Sequence, residues 1–184
     1  TTTMKTAKRK SAAKATKGKS ENAALYKTAN DLPKRSRVQV IDLLNNRLAD
    51  AVDLQMQMKQ AHWNVKGPNF IGLHELFDKV YAAAGEYVDS IAERAVQLGG
   101  IADGTVRTAA KHTRLPEYPQ GIAEGPAHVN AVSTVLAAFG HEVRQSIDNA
   151  DELNDADTAD IFTEVSRGVD KWLWFVEAHA QASK

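Results

Sequence analysis

Two histidines, His62 and His74, stand twelve residues apart in the run HWNVKGPNFIGLHELFD, and Asp78 follows the second by four. Asp89 lies eleven residues beyond Asp78, and Glu93 four beyond that. Imidazole nitrogens with carboxylate oxygens are ligands for a divalent transition metal, and without thiolate the set suits iron, manganese or zinc rather than copper(I). The chain contains no cysteine. Disulfides, zinc–thiolate sites, iron–sulfur clusters and thiol catalysis are thereby excluded.

Eleven residues amount to three α-helical turns plus about 20°, so His74, Asp78, Asp89 and Glu93 fall on one helix face. The same geometry separates Asp78 from Asp89 by about 16 Å along the axis, too far to hold one ion together. The two pairs are disposed evenly about a point between Ala83 and Ala84, in the small-residue stretch AAAGE from Ala82 to Glu86. If two copies of this helix cross antiparallel there on a two-fold axis, His74 of one faces Glu93 of the other and Asp78 faces Asp89. Each of two equivalent sites would then combine His62, His74 and Asp78 of one chain with Asp89 and Glu93 of its neighbour. Taken singly, the His-x3-Asp pair and the carboxylate pair are each more often solvated or hydrogen-bonded surface groups than metal ligands. Met56 and Met58 read as packing residues.

The elements that must position these groups are helical. From Val38, Ile41, Leu44, Leu48, Ala51 and Met58 follow helical spacing, and His62 continues the stripe as a buried position. Pro33 suits the first turn of this helix, and Gly67-Pro68 end it. Asn69 reads as the N-cap of a second helix carrying Phe70, Leu73, Phe77, Val80, Ala84, Val88, Ile91, Ala95 and Leu98, ended by Gly99-Gly100. A Gly- and Pro-containing connection from Ile101 to Gly125 has room for one short helix at Val106 to His112. A third long helix carries Val132, Val135, Phe139, Val143 and Ile147. After the acidic link DNADELNDAD, a fourth carries Ile161, Val165, Trp172, Phe175 and Ala178. The expected fold is all-α: a ferritin-like four-helix bundle with a long connection between its second and third long helices. The absence of a Glu-x-x-His pair on the bundle helices argues against an oxygen-activating enzyme that acts on an organic substrate.

A formal net charge of zero conceals two charge domains. Lys5, Lys8, Arg9, Lys10, Lys14, Lys17 and Lys19 crowd a tail with no acid before Glu21, leaving 16 basic groups to face all 23 acidic ones in the body. Residues 1–24 are expected to be disordered and residues 25–184 to form the bundle domain. Such an arm can neutralise phosphates of double-stranded DNA without reading sequence, while a merely solubilising extension is the other use of it. No apolar run approaches the roughly 20 residues of a membrane span, and no secretory signal is present, which predicts a soluble intracellular protein without a membrane partner.

The run QAHWNVKGPNFIGLHELFD, followed by DSIAERAVQLGG and later DKWLWFVEAH, resembles the Dps family, ferritin-related DNA-protecting proteins of starved bacterial cells, over roughly residues 25–182. The resemblance implies a hollow homododecamer built from two-fold dimers, with ferroxidase centres at the dimer interfaces. By matching position, His62, His74 and Asp78 would ligate iron from one subunit and Asp89 and Glu93 from the other. Trp63 would stand beside the centre and accept radical oxidising equivalents, and Lys59 and Arg94 would pair with its carboxylates. The implied chemistry oxidises Fe(II), preferentially with hydrogen peroxide, and stores a ferric oxyhydroxide core, with zinc or manganese as alternative occupants. Asp155, Asp157, Asp160 and Glu164 fall where the family has a three-fold pore that admits iron, although acids complementing the dipole at a solvated helix N-terminus explain them as well. The implied location is the bacterial cytoplasm, associated with the nucleoid. The competing reading is a structural DNA-compacting protein with a vestigial or zinc-filled site.

Overall fold

The computed structural model describes residues 25–181. Five helices follow one another: α1 (Lys34–Asn64), α2 (Phe70–Gln97), α3 (Val106–His112), α4 (Gly125–Glu152) and α5 (Ala156–Gln181). The tail lysines and arginine, and their expected disorder, lie outside the described residues. α1 pairs with α2 and α4 with α5 as two hairpins; α1 also meets α4, and α2 meets α5, closing a four-helix bundle. None of the described helices is long and apolar enough to cross a membrane.

Heptad-like apolar spacing builds the core. Ile41, Leu44, Leu48, Ala51 and Met58 of α1 meet Leu73, Phe77, Val80, Ala84 and Ile91 of α2 in one buried cluster with Phe139 of α4 and Phe162 of α5. The three phenylalanines are fully enclosed, each worth about 1.5–3 kcal/mol of transfer free energy. Met58 belongs to this core, whereas Met56 faces outward.

The chain turns are specified locally. α1 ends at Asn64, and the α1–α2 turn is pinned to the start of α4: Lys66 N–H donates to Ala123 O (2.8 Å), and Gly125 N–H to Lys66 O (3.2 Å). That isolated bridge anchors the far end of the long connection, while α3 packs on α1. Asn69 occupies the expected cap position of α2, but its side chain makes no capping bond; its carbonyl instead accepts from Leu73 N–H. At the other end of α2, Gly99 adopts φ +87°, and a Cβ there would stand 2.6 Å from the Tyr26 carbonyl, so only glycine fits. Arg37 then ties the two ends together by donating to Leu32 O and Leu98 O.

Two expectations are corrected. The acidic link is mostly helix: α4 continues to Glu152, and the break is confined to Leu153, Asn154 and Asp155, with Asn154 at φ 59°. His62 is half-buried rather than buried, because α1 ends two residues later and its last turn projects beyond the enclosed core.

Candidate metal centre

His62, on the last turn of α1, and His74, on the second turn of α2, are brought together by the short turn between the helices. Their rings stack with centroids 3.6 Å apart and planes inclined by 20°. The Phe70 ring lies 5.0 Å from that of His74. The two imidazoles are locked reciprocally: His62 Nδ1 is 2.7 Å from the His74 carbonyl, and His74 Nδ1 is 2.8 Å from the His62 carbonyl. A carbonyl oxygen only accepts, so each Nδ1 carries the proton, and in the neutral ring each Nε2 keeps a free lone pair. The bond to His62 O also satisfies one of the carbonyls that a helix C-terminus leaves without an intrahelical donor. Orienting a ligand imidazole through its second nitrogen is how metal sites fix tautomer and ring direction.

Asp78 follows one turn along α2. Its Oδ1 accepts from the Lys59 ammonium, which also sits 4.4 Å above the Tyr81 ring. The Lys59 hydrogen bond, with smaller help from the Lys59, His62 and His74 charges, holds the Asp78 carboxyl below the usual carboxylate range. It is therefore an ionised carboxylate paired with the Lys59 ammonium. Turned toward Lys59, it does not converge with the two imidazoles, and among the described residues no three His, Asp or Glu side chains gather as a metal site.

Asp89 and Glu93 are exposed on α2, three turns beyond, and no described residue pairs with either. One chain thus brings His62 and His74 together, places Asp78 one turn away on Lys59, and leaves Asp89 and Glu93 apart. Around the half-site the surface is apolar: Trp63 is 60% exposed, Ile71 60% and Phe70 39%. Exposed large apolar groups gathered on one face are the usual mark of an interface. Along α2 the expected crossing point is lined with small residues; Gly85 lies against the Gln55 side chain, where a Cβ would approach Nε2 to 2.9 Å.

Arg94, expected to support the carboxylates of the centre, is committed elsewhere. Its Nη2 donates to Asp155 Oδ1 at 2.8 Å and its Nε to Thr158 Oγ1 at 3.0 Å. Asp155, grouped with the pore acids by sequence, is 4% exposed and caps α5 by accepting from Thr158 N–H and Thr158 Oγ1–H. It is a buried joint between the end of α2 and the start of α5, not a solvated pore group in this chain. The correction follows from a partner 61 residues away that a local acidic run does not reveal. Asp157, Asp160 and Glu164 do face solvent, on the first turns of α5.

Sequence reading also missed a buried charge cluster: Arg47 bridges Asp50 (2.9 Å) and Glu142 (2.5 Å), with Arg114 closing on Glu142 from the connection. Burial raises the Asp50 carboxyl despite the Arg114 N–H and the Arg47 charge. Burial would raise Glu142 too, but the bonds and charges of Arg47 and Arg114 bring it below its ordinary value. The signal was present, since Arg47 and Asp50 sit one turn apart on the apolar stripe of α1.

The ferritin-like domain profile matches residues 41–184. The chain is 46% identical over 156 residues to the DNA protection during starvation protein of Agrobacterium fabrum, spanning 85% of this chain and 96% of that protein. It is 33% identical to the protein of the same name from Brevibacillus brevis, over 74% of this chain and 91% of that one. Among solved structures, Mycobacterium smegmatis Dps in its tetragonal form superposes with a TM-score of 0.80 at 32% identity, covering 85% of this chain and 95% of its own. DpsA14 from Streptomyces coelicolor gives 0.81 at 30%, covering 88% and 96%.

Proposed function

The chain belongs to the Dps family of ferritin-like proteins, and we propose from that premise that it oxidises Fe(II), preferentially with hydrogen peroxide, at centres shared between two subunits. The observation that carries this reading is the reciprocal lock of His62 and His74, which leaves the Nε2 lone pair of each ring, in its neutral form, free near Asp78. His62, His74 and Asp78 of one subunit receive the ferrous substrate, and Asp89 and Glu93 of the two-fold partner complete its shell. Three carboxylates favour the harder ferric ion, which drives oxidation, and a shell short of six protein ligands leaves room for the oxidant. Hydrogen peroxide takes one electron from each of two ferrous ions and is reduced to two waters with two protons. Trp63, at the rim of the half-site, accepts stray oxidising equivalents. Zinc or manganese would compete for the same ligands.

The product is stored as ferric oxyhydroxide inside a homododecamer assembled from such dimers, which Fe(II) reaches through a pore lined by Asp157, Asp160 and Glu164. The Lys-rich tail holds double-stranded DNA without sequence preference, twelve arms acting together where one would bind weakly. In the bacterial cytoplasm, on the nucleoid, this removes ferrous iron and peroxide from the neighbourhood of DNA.

Anaerobic addition of Fe(II) followed by peroxide should give ferric absorbance in the native protein, and His62→Ala and Asp89→Ala should each slow its appearance; equal rates in all three would refute the site. Removal of residues 1–20 should abolish the DNA mobility shift at moderate salt. An undiminished shift would end the tail's role.

A further inference from the structure

Tyr118 and His128 form a buried pair that iron binding leaves unused. Tyr118, in the connection after α3, is 5% exposed, and His128, in the first turn of α4, is 1% exposed. His128 Nε2 lies 3.1 Å from the Ile122 carbonyl, so Nε2 carries the proton and Nδ1 is a lone pair. That lone pair faces the Tyr118 hydroxyl at 2.7 Å, so the phenol donates directly to an unprotonated base. Burial holds the phenol well above its usual range and the imidazole below its own, so the pair rests as neutral phenol and neutral imidazole. Two contacts join it to the elements that carry the candidate ligands. The Phe77 ring, one residue before Asp78, is 6.5 Å from the His128 ring. His128 also faces the main chain of Asn64 and the charge of Lys66, at the end of α1 that carries His62.

Removing an electron from a buried phenol is difficult unless its proton leaves in the same step. Here the proton needs only to cross one hydrogen bond, and the imidazolium that results keeps its bond to the Ile122 carbonyl, so the surroundings need not rearrange. We propose that Tyr118 and His128 act as a proton-coupled electron donor to one-electron oxidants formed from Fe(II) and peroxide at the candidate centre on α1 and α2. When a single ferrous ion reduces peroxide by one electron, the products are Fe(III), hydroxide and a hydroxyl-radical-class oxidant. Tyr118 gives that oxidant an electron and reduces it to hydroxide; the phenolic O–H bond breaks and an N–H bond forms at His128 Nδ1. A second ferrous ion then returns an electron to the tyrosyl radical, the proton goes back to the phenol, and both irons end ferric. The pair thereby holds one oxidising equivalent inside the protein until a second Fe(II) arrives.

This proposal rests on the iron reading above, and its test separates the two. The intact assembly is mixed with Fe(II) and peroxide, freeze-quenched and examined by electron paramagnetic resonance, with ferric absorbance recorded in parallel. A tyrosyl signal is expected in the native protein and in Trp63→Phe. It should be lost in Tyr118→Phe and in His128→Gln, whose amide still accepts the hydrogen bond but takes no proton. An undiminished signal in Tyr118→Phe overturns the proposal. In an iron-free arm, a photogenerated ruthenium(III) oxidant should raise the same Tyr118 signal, and failure to do so overturns the redox role of the pair. A photochemical radical without one under iron and peroxide overturns its coupling to the iron site. Failure of the iron reading shows separately, as missing ferric absorbance. A pair that only fastened the connection to α4 would lower the melting temperature of both variants and leave radical yields unchanged.

Discussion

Mixing two inactive variants should restore activity. Within one chain, His62 and His74 are stacked with Asp78 one turn along α2, Asp89 and Glu93 stand about 16 and 22 Å beyond Asp78 on the same helix, and no described residues complete a three-ligand group. On the proposed shared centre, His62→Ala would destroy the half-site that its own chain supplies and Asp89→Ala the half that its chain lends to a partner. Even outer-shell partners of metal ligands are worth about 10–100-fold, so each variant alone should lose at least that much of its rate. When the two are unfolded, mixed in equal amounts and refolded, about half of the two-fold dimers are mixed if pairing is random. In a mixed dimer one site combines both lesions, and the other joins an intact half from the Asp89→Ala chain with an intact Asp89 from the His62→Ala chain. About one site in four is therefore whole, and the initial rate of ferric absorbance should recover to about a quarter of the native value. If all five ligands served a single chain, every site would still carry a lesion and mixing would change nothing. A mixture no faster than either variant would refute the shared centre, whatever the single variants do.

Arg94→Met should lower stability by roughly 3–5 kcal/mol, because it strands the buried Asp155 carboxylate; urea denaturation measures it, and a loss below about 1 kcal/mol would show that Asp155 is not held as described. Asp157→Asn, on the exposed side of the same turn, should change stability by less than about 0.5 kcal/mol. Gly168→Ala places a Cβ 2.1 Å from Tyr87 Oη and should destabilise by about 1–3 kcal/mol, a loss that Tyr87→Phe partly relieves in the double variant. Glu142 has a lowered folded pKa, so its contribution is present in full above the ordinary carboxyl value and disappears as pH falls through the lower folded one. Glu142→Gln should therefore weaken the protein at neutral pH and flatten the acid limb of its stability profile; an unchanged limb contradicts the Arg47–Glu142 pairing.

What could be read from the sequence was what one helix contains. The i, i+3, i+4 stripe located Leu44, Leu48, Phe77 and Phe139 in the core because burial on a regular helix repeats within a few letters. The eleven-residue offset of Asp78 and Asp89 exposed a shared face for the same reason. What escaped was set by partners remote in sequence or absent from the side-chain alphabet. Asp155 looked like one more acid in an acidic run until Arg94, from another helix, made it a buried cap. The orientation of His62 and His74 is enforced by two main-chain carbonyls, which no sequence pattern marks. His62 departed from its stripe because α1 stops two residues later, beyond the enclosed core, and its ring stacks on His74 instead of entering the apolar cluster.

Trp63 and Ile71 are each 60% exposed, and burying such side chains would contribute roughly 1.5–3 kcal/mol apiece. Asp89 and Glu93, solvated in the single chain, would resist burial unless a cation arrived with them. In the proposed two-fold dimer, the partner that covers Trp63 and Ile71 would also bring those two carboxylates to His62, His74 and Asp78, so the apolar contact would offset the desolvation of the charged groups. Dimerisation and metal affinity are then linked: Fe(II) should tighten the two-fold contact, and an Ile71→Lys change at the rim should weaken iron oxidation without altering a single ligand.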